Sequence, residues 1–279
     1  MAVPFNGPPF LMVHIRILLK LADMKIAIKT IRYLYSIYAL LTFIGVMLVL
    51  MPFVFVSLSF GRVKGGNYIY HLCKIWASVW YVFLGVRHQE IHEIEHEKSQ
   101  QYIFIANHNS YMDIPPIVLI AHSPLRILGK YESSKIPLFG WMYKQAVILV
   151  DRSNAERRSQ SVRALKQAIA DGLSIFIFPE GTFNELEQPL KSFFDGAFRI
   201  AIETQTPIKP LLFIDTIERM HFSSVFSITP GKSRVVYLAD IPVAGLTLED
   251  LPALKAKAYQ LMEEGLKRYR KYPTVLSVF

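Results

Sequence analysis

The sequence predicts an α/β fold, a largely parallel mixed sheet of about seven strands flanked by helices, with membrane-embedded helices at the amino terminus. Three observations predict it. Beyond Gly85, short apolar runs alternate with segments of helical periodicity. The central runs are apolar throughout, as strands buried on both faces require. Upstream, residues 33–60 contain no charged side chain, with Arg32 and Arg62 at the edges.

As a helix, residues 33–60 extend about 42 Å, enough to cross roughly 30 Å of hydrocarbon with tilt or to lie partly embedded around Pro52. A cleaved leader does not fit, because the run is too long and no small-residue cleavage site stands out. A second helix is expected at 68–86. It carries His71, Lys74, Trp76, Trp80 and Tyr81, and two Trp one turn apart beside a lysine suit the headgroup level of a membrane. The chain thus divides into a membrane-anchoring segment, 1–86, and an α/β unit, 87–279.

Strands are expected at 87–94, 102–106, 126–129, 146–150, 174–178, 208–214 and 234–238. Ser153 with Glu156 three residues on forms a capping box that opens a helix. That helix carries Val162, Leu165 and Ile169 on one face and stops at Gly172. Further helices are expected at 196–204 and 247–272.

Composition narrows the partners. The chain is 52% apolar with a formal charge of +9, greasy for a soluble domain and suited to an anionic partner. The Lys and Arg are scattered and carry no nucleic-acid motif, so a membrane surface or a phosphate-bearing substrate fits better. The single Cys73 excludes an internal disulfide framework.

The polar islands hold the functional signal. Asn107-His108 with Asp113 follow the second strand, Asp151-Arg152 the fourth, and Phe178-Pro179-Glu180-Gly181-Thr182 the fifth, while Thr206-Pro207-Ile208 open the sixth. In open α/β sheets ligands bind beyond the carboxyl ends of strands, so these islands suggest one site. Residues five apart on a helix differ by about 140° in direction. His108 and Asp113 can therefore meet only if His108 lies in the loop and Asp113 at the helix entrance ahead of Pro115-Pro116. Asp113 suits an N-cap there as well.

His108-Asn109-Ser110-Tyr111-Met112-Asp113 matches the H-x-x-x-x-D signature. Followed in order by the Arg152, Glu180-Gly181-Thr182 and Pro207 blocks, it resembles the glycerolipid acyltransferases over roughly residues 85–272, above all the 1-acyl-glycerol-3-phosphate (lysophosphatidic acid) acyltransferases. The resemblance implies acyl transfer from a thioester, acyl-CoA or acyl carrier protein, to the free hydroxyl of a lysophospholipid, with no cofactor beyond that co-substrate. His108 is then the general base and Asp113 its orienting partner. Asn107, Lys130, Arg152, Glu180, Gly181, Thr182 and Pro207 are the substrate-binding candidates. Among these Lys130 and Arg152 hold the acceptor's phosphate, Glu180 holds a hydroxyl or a basic neighbour, and Pro207 is structural or lines the acyl chain. Arg16, Lys20, Lys25, Lys29 and Arg32 favour a cytoplasmic amino terminus. With a cytosolic donor, that suggests a re-entrant pair or monotopic anchor and a catalytic unit on the cytoplasmic face.

Two positions depart from the family pattern. Phe183 stands where an arginine usually follows Glu-Gly-Thr, and Asp195 where a basic residue usually precedes the glycine. Both remove cations from a region expected to face phosphate, which Lys191 or Arg199 could replace. They keep open an acceptor of another kind, such as an amino-acid-based lyso-lipid, and a non-catalytic membrane protein on the same scaffold is a further alternative. His92-Glu93-Ile94-Glu95-His96 fits the zinc signature H-E-x-x-H, yet the surrounding stretch lacks the apolar back such a helix needs and reads as strand plus polar turn. No G-x-S-x-G elbow of a serine hydrolase occurs.

Overall fold

A computed structural model of the chain describes residues 9–270, apart from 95–96, 98, 121–123, 137–138, 152–154 and 187. It begins with a helical hairpin. Helix α1, Pro9–Ser57, is 49 residues, or about 73 Å, and continues through Pro52. A single 3-10 turn and Gly61, at φ 72°, reverse the chain into α2, Arg62–Phe83. The helix therefore starts well before residue 33. The cations upstream interrupt the apolar run without interrupting the backbone.

The hairpin corrects one expectation. Trp76 and Trp80 are buried against α1, only 6% and 4% exposed, and do not lie at a headgroup surface. Their rings stack at 5.4 Å, Phe43 meets both edge-on, and Trp80 Nε1 donates to Ala39 O at 2.9 Å. Tyr35 and Tyr38 hydroxyls donate to the last carbonyls of the α2 end, Leu84 O and Phe83 O. The opposite face of α1 is apolar and open, with Leu34, Leu41, Val49 and Phe55 all more than half exposed.

Seven strands follow: β1 Val86–His92, β2 Ile103–Ala106, β3 Leu125–Lys130, β4 Val147–Val150, β5 Ser174–Ile177, β6 Ile208–Phe213 and β7 Gly231–Tyr237. Their order is β1-β7-β6-β2-β5-β3-β4. All neighbours are parallel except β6 and β7, so five strands present their carboxyl ends at one rim. Each expected strand is present with ends shifted by a few residues. In β2, β5 and β6 every residue is buried, as their unbroken apolar runs require. The exception in type is Lys209 of β6, fully buried, whose ammonium pairs with Asp240 and lies 5.6 Å from the Tyr102 ring.

Helices cover both faces. Alternate strand residues such as Phe104, Phe176 and Phe213 share one core with α1, α2 and α3, Ile114–Ile120. Ile103, Ile105, Ile175 and Leu212 share the other with α5, Ala155–Ala170, α6, Gly196–Thr204, and α8, Leu251–Tyr269. Helix α5 ends as expected, with Gly172 at φ 80° and the Leu173 amide returning to Ala168 O at 2.9 Å. Ser153 of its expected capping box lies outside the described residues. Two short helices, α4 at Phe139–Ala146 and α7 at Thr216–Arg219, were not anticipated by periodicity. Both are too short to display one.

Candidate active site

The connection from β2 runs through α3 to β3, and that from β5 through α6 to β6. Since β2 and β5 are neighbours, these two connections depart toward opposite sides of the sheet and on opposite faces. Such a switch point leaves a crevice beyond the strand ends. His108 sits in the loop above β2, Glu180 in the loop above β5.

Asp113 closes the 3-10 turn Tyr111–Asp113 that leads into α3. Its Oδ2 accepts from His108 Nδ1 at 2.9 Å and from the backbone amides of Asn109 and Ser110 at 2.8 and 2.9 Å. Ser110 completes a capping box, accepting from the Met112 amide while donating to Met220 O at 2.6 Å. One buried carboxylate is thus both cap and imidazole partner. A carboxylate on Nδ1 places the proton there and leaves the Nε2 lone pair for chemistry. The ring is 16% exposed, with Phe178 stacked on it at 3.8 Å and Phe183 edge-on at 4.4 Å.

Glu180 grips the same loop from the other strand. Its Oε1 accepts the His108 amide at 2.8 Å and its Oε2 the Lys191 amide at 2.8 Å, while the Asn184 amide donates to His108 O at 2.6 Å. Gly181, at φ 74°, permits the turn that aims the carboxylate inward. Glu180 is 1% exposed. Burial pushes its carboxyl up to about 7, against the two amide bonds that favour the ion, and the nearby Asp113 charge adds to the rise.

This geometry can remove a proton from a hydroxyl beside an apolar wall. A sequence model of the Acyltransferase family matches residues 87–214. The 1-acyl-sn-glycerol-3-phosphate acyltransferase of Haemophilus influenzae is 29% identical over 212 residues, 75% of this chain and 85% of that protein. The human 1-acyl-sn-glycerol-3-phosphate acyltransferase beta is 26% identical over 206 residues, covering 70% and 72%. The chain is similar to the glycerolipid acyltransferases, and the Acyltransferase match takes in both His108 and Glu180. The fold is that of the crystallised LPA acyltransferase PlsC from Thermotoga maritima, with TM-score 0.71, 21% identity, and coverage of 88% of this chain and all of that one.

Other residues expected in the acyltransferase site divide into three groups. Thr182 lies on the crevice loop, exposed, and accepts from Lys191 Nζ at 2.8 Å. Lys130 ends β3 on the same rim, exposed and roughly 10 Å from β2, two strands away. Arg152 lies outside the described residues, directly after Asp151 at the end of β4.

Asn107 and Pro207 are corrected. Asn107 is buried, and both ends of its amide pair with the Phe213 backbone, Nδ2 donating at 3.0 Å and Oδ1 accepting at 2.8 Å. It straps β2 to β6 and positions the loop, and its amide does not face a substrate. Pro207 stands at the amino end of β6, where its carbonyl accepts the Ile103 amide at 2.9 Å. His108 is five residues beyond Ile103, so Pro207 is at the opposite rim, about 16 Å away along the strand. Glu180 is corrected in its partners, which are two backbone amides in place of a hydroxyl or a cation.

Some working residues escaped the motif reading. Ser110 was findable as the start of an S-x-x-D capping box. Phe178 and Asn184 were not, because a ring stack and an amide-to-carbonyl bond across loops leave no local pattern. Asp195 pairs with Lys255 of α8 at 2.6 Å, on the surface. His92 ends β1 and Glu93-Ile94 form a bend, and among the described residues no three His, Cys, Asp or Glu side chains converge as metal ligands.

Proposed function

We propose that this acyltransferase transfers a fatty acyl group from a thioester, acyl-CoA or acyl carrier protein, to the free hydroxyl of lysophosphatidic acid, giving phosphatidic acid for phospholipid synthesis. The observation that carries the reading is the His108–Asp113 pair against the Phe178 ring, with Nδ1 held by the carboxylate and Nε2 left for chemistry. His108 Nε2 takes the hydroxyl proton as the oxygen attacks the thioester carbon. Asp113 stabilises the imidazolium that forms. When the tetrahedral intermediate collapses, the carbon–sulfur bond breaks and the imidazolium returns the proton to the leaving thiolate. The nucleophile is the substrate, so no acyl-enzyme forms. Relatives named for 1-acyl-sn-glycerol-3-phosphate support this acceptor.

The open face of α1 supports membrane attachment. Within Arg16–Ser57 an 18-residue window reaches a mean hydropathy of 2.7, and the helix is long and apolar enough to cross a bilayer. We put the catalytic unit on the cytoplasmic face, because thioester donors are available there. A second acceptor class, a lyso-lipid without phosphate, draws on Phe183, whose ring contacts His108 where a cation was expected.

The test is acyl transfer by the purified full chain in mixed micelles, against lyso-lipid acceptors with and without phosphate. Lysophosphatidic acid should be preferred, and His108→Ala should abolish turnover while unfolding as the parent does. Full activity in His108→Ala would end the catalytic assignment, and turnover confined to phosphate-free acceptors would select the second class.

A further inference from the structure

Glu180 ties two segments to one carboxylate, the His108 loop through Oε1 and Lys191 through Oε2. The main chain of Lys191 is thereby held in fixed relation to the catalytic imidazole. Its side chain then returns over the crevice loop. Lys191 Nζ lies 2.8 Å from Thr182 Oγ1 and 3.4 Å from Phe183 O, both neutral acceptors. One residue separates the ammonium from the imidazole, because the ring of that same Phe183 meets His108 at 4.4 Å.

Three other cations on this side of the sheet are committed elsewhere. Arg157 pairs with Asp151 at 3.1 Å and Arg234 with Asp215 at 2.6 Å. Arg270 donates to Phe213 O at 3.2 Å, behind the Asn107 strap. Lys130 is two strands away. Among the described residues Lys191 has no carboxylate in ion-pair range, and its ammonium carries a third donor beyond the two it directs at Thr182 and Phe183.

We infer that Lys191 holds the acceptor's phosphate while His108 takes its hydroxyl proton, an inference that rests on the proposed acyl transfer to lysophosphatidic acid. In that acceptor the hydroxyl and the phosphate are on neighbouring carbons. A cation and a base separated by one residue suit such a pair. An ammonium bonded only to neutral oxygens gains a charged partner when a phosphate arrives. Phe183 supplies the apolar spacer between the two polar ends, so the cation lies beside the ring and not on the residue after Thr182.

The experiment uses the full chain in mixed micelles with lysophosphatidic acid, with 1-monoacylglycerol as the uncharged counterpart, and with acyl-CoA as donor. Lys191→Ala should raise KM for lysophosphatidic acid by about ten- to a hundredfold, the loss of a charge-assisted hydrogen bond. The kcat, the pH profile, the KM for monoacylglycerol and the KM for acyl-CoA should change little, and Lys191→Arg should recover most of the loss. An unchanged KM for lysophosphatidic acid would overturn the inference. So would equal rises for the charged and uncharged acceptors, which would mean a loosened Glu180 bracket, or a rise confined to acyl-CoA, which would assign Lys191 to the donor. Wild-type protein that acylates neither acceptor would instead remove the functional reading on which this rests.

Discussion

Glu180→Gln separates the two things this buried carboxylate does. The ionised side chain offers an oxygen to each of two backbone amides, 2.8 Å away on both sides. Glutamine keeps one acceptor and turns an amino group toward the other amide. The catalytic loop then loses one anchor, and a small displacement of a general base costs on the order of a hundredfold in rate. Stability should move the other way. A carboxyl raised from 4.5 to about 7 binds its proton more tightly folded than unfolded. Its contribution is therefore fullest below the ordinary carboxylate range and falls as pH rises toward 7, by roughly 3 kcal/mol. Glutamine has no such dependence. Denaturant unfolding of both proteins in detergent, followed between pH 4.5 and 8, should show the variant gaining on the parent by about 3 kcal/mol across that range, while its kcat at pH 8 falls. A difference that stays constant with pH would refute the reasoning, because the ionised carboxylate would then carry no burial cost. Unchanged kcat would refute the bracket.

Asp113→Asn should fold and keep its contacts, because Oδ1 is buried without a partner among the described residues and can be exchanged for the amide nitrogen while oxygen stays on Oδ2. The lost charge should still lower kcat by about 10²- to 10⁴-fold, and near-parental turnover would deny Asp113 a role in stabilising the imidazolium. Pro207→Ala should leave both substrate KM values unchanged and cost about 0.5–1 kcal/mol of stability, and a raised acceptor KM would return Pro207 to the site.

What the sequence disclosed depended on how local each signal was. The strands were legible because burial on both faces demands unbroken apolar runs, and their order in the chain identified His108 and Glu180 as residues at strand ends. The pairing of His108 with Asp113 was implied by the H-x-x-x-x-D resemblance, and helix geometry added that His108 had to lie in the loop and Asp113 at the helix entrance. Of the two roles expected for Pro207 the structural one fits its place, since a motif records proximity to a strand without recording which end faces the ligand. Asn107 was misread for a related reason. Its partner is the Phe213 backbone, more than a hundred residues away, and backbone partners carry no residue signature. The Trp pair was read as interfacial from composition, whereas the same spacing equally serves a helix–helix seam, and packing against Phe43 decided between them.

The site is held by carboxylates whose main partners are backbone amides. Asp113 and Glu180 together bind four main-chain N–H groups and one imidazole. Neither carboxylate is accessible, since Asp113 is fully buried and Glu180 1% exposed. Burying two anions side by side is unfavourable, and the raised carboxyl of Glu180 expresses that cost. A protein selected for stability alone would fill the same volume with apolar side chains. Their arrangement is explained by what it fixes: the backbone of His108 at both its N–H and its carbonyl, and the ring at Nδ1 and against Phe178, with Nε2 engaged by neither carboxylate. Such a base needs little rearrangement when the hydroxyl arrives, and folding has already supplied the ordering that the transition state would otherwise require.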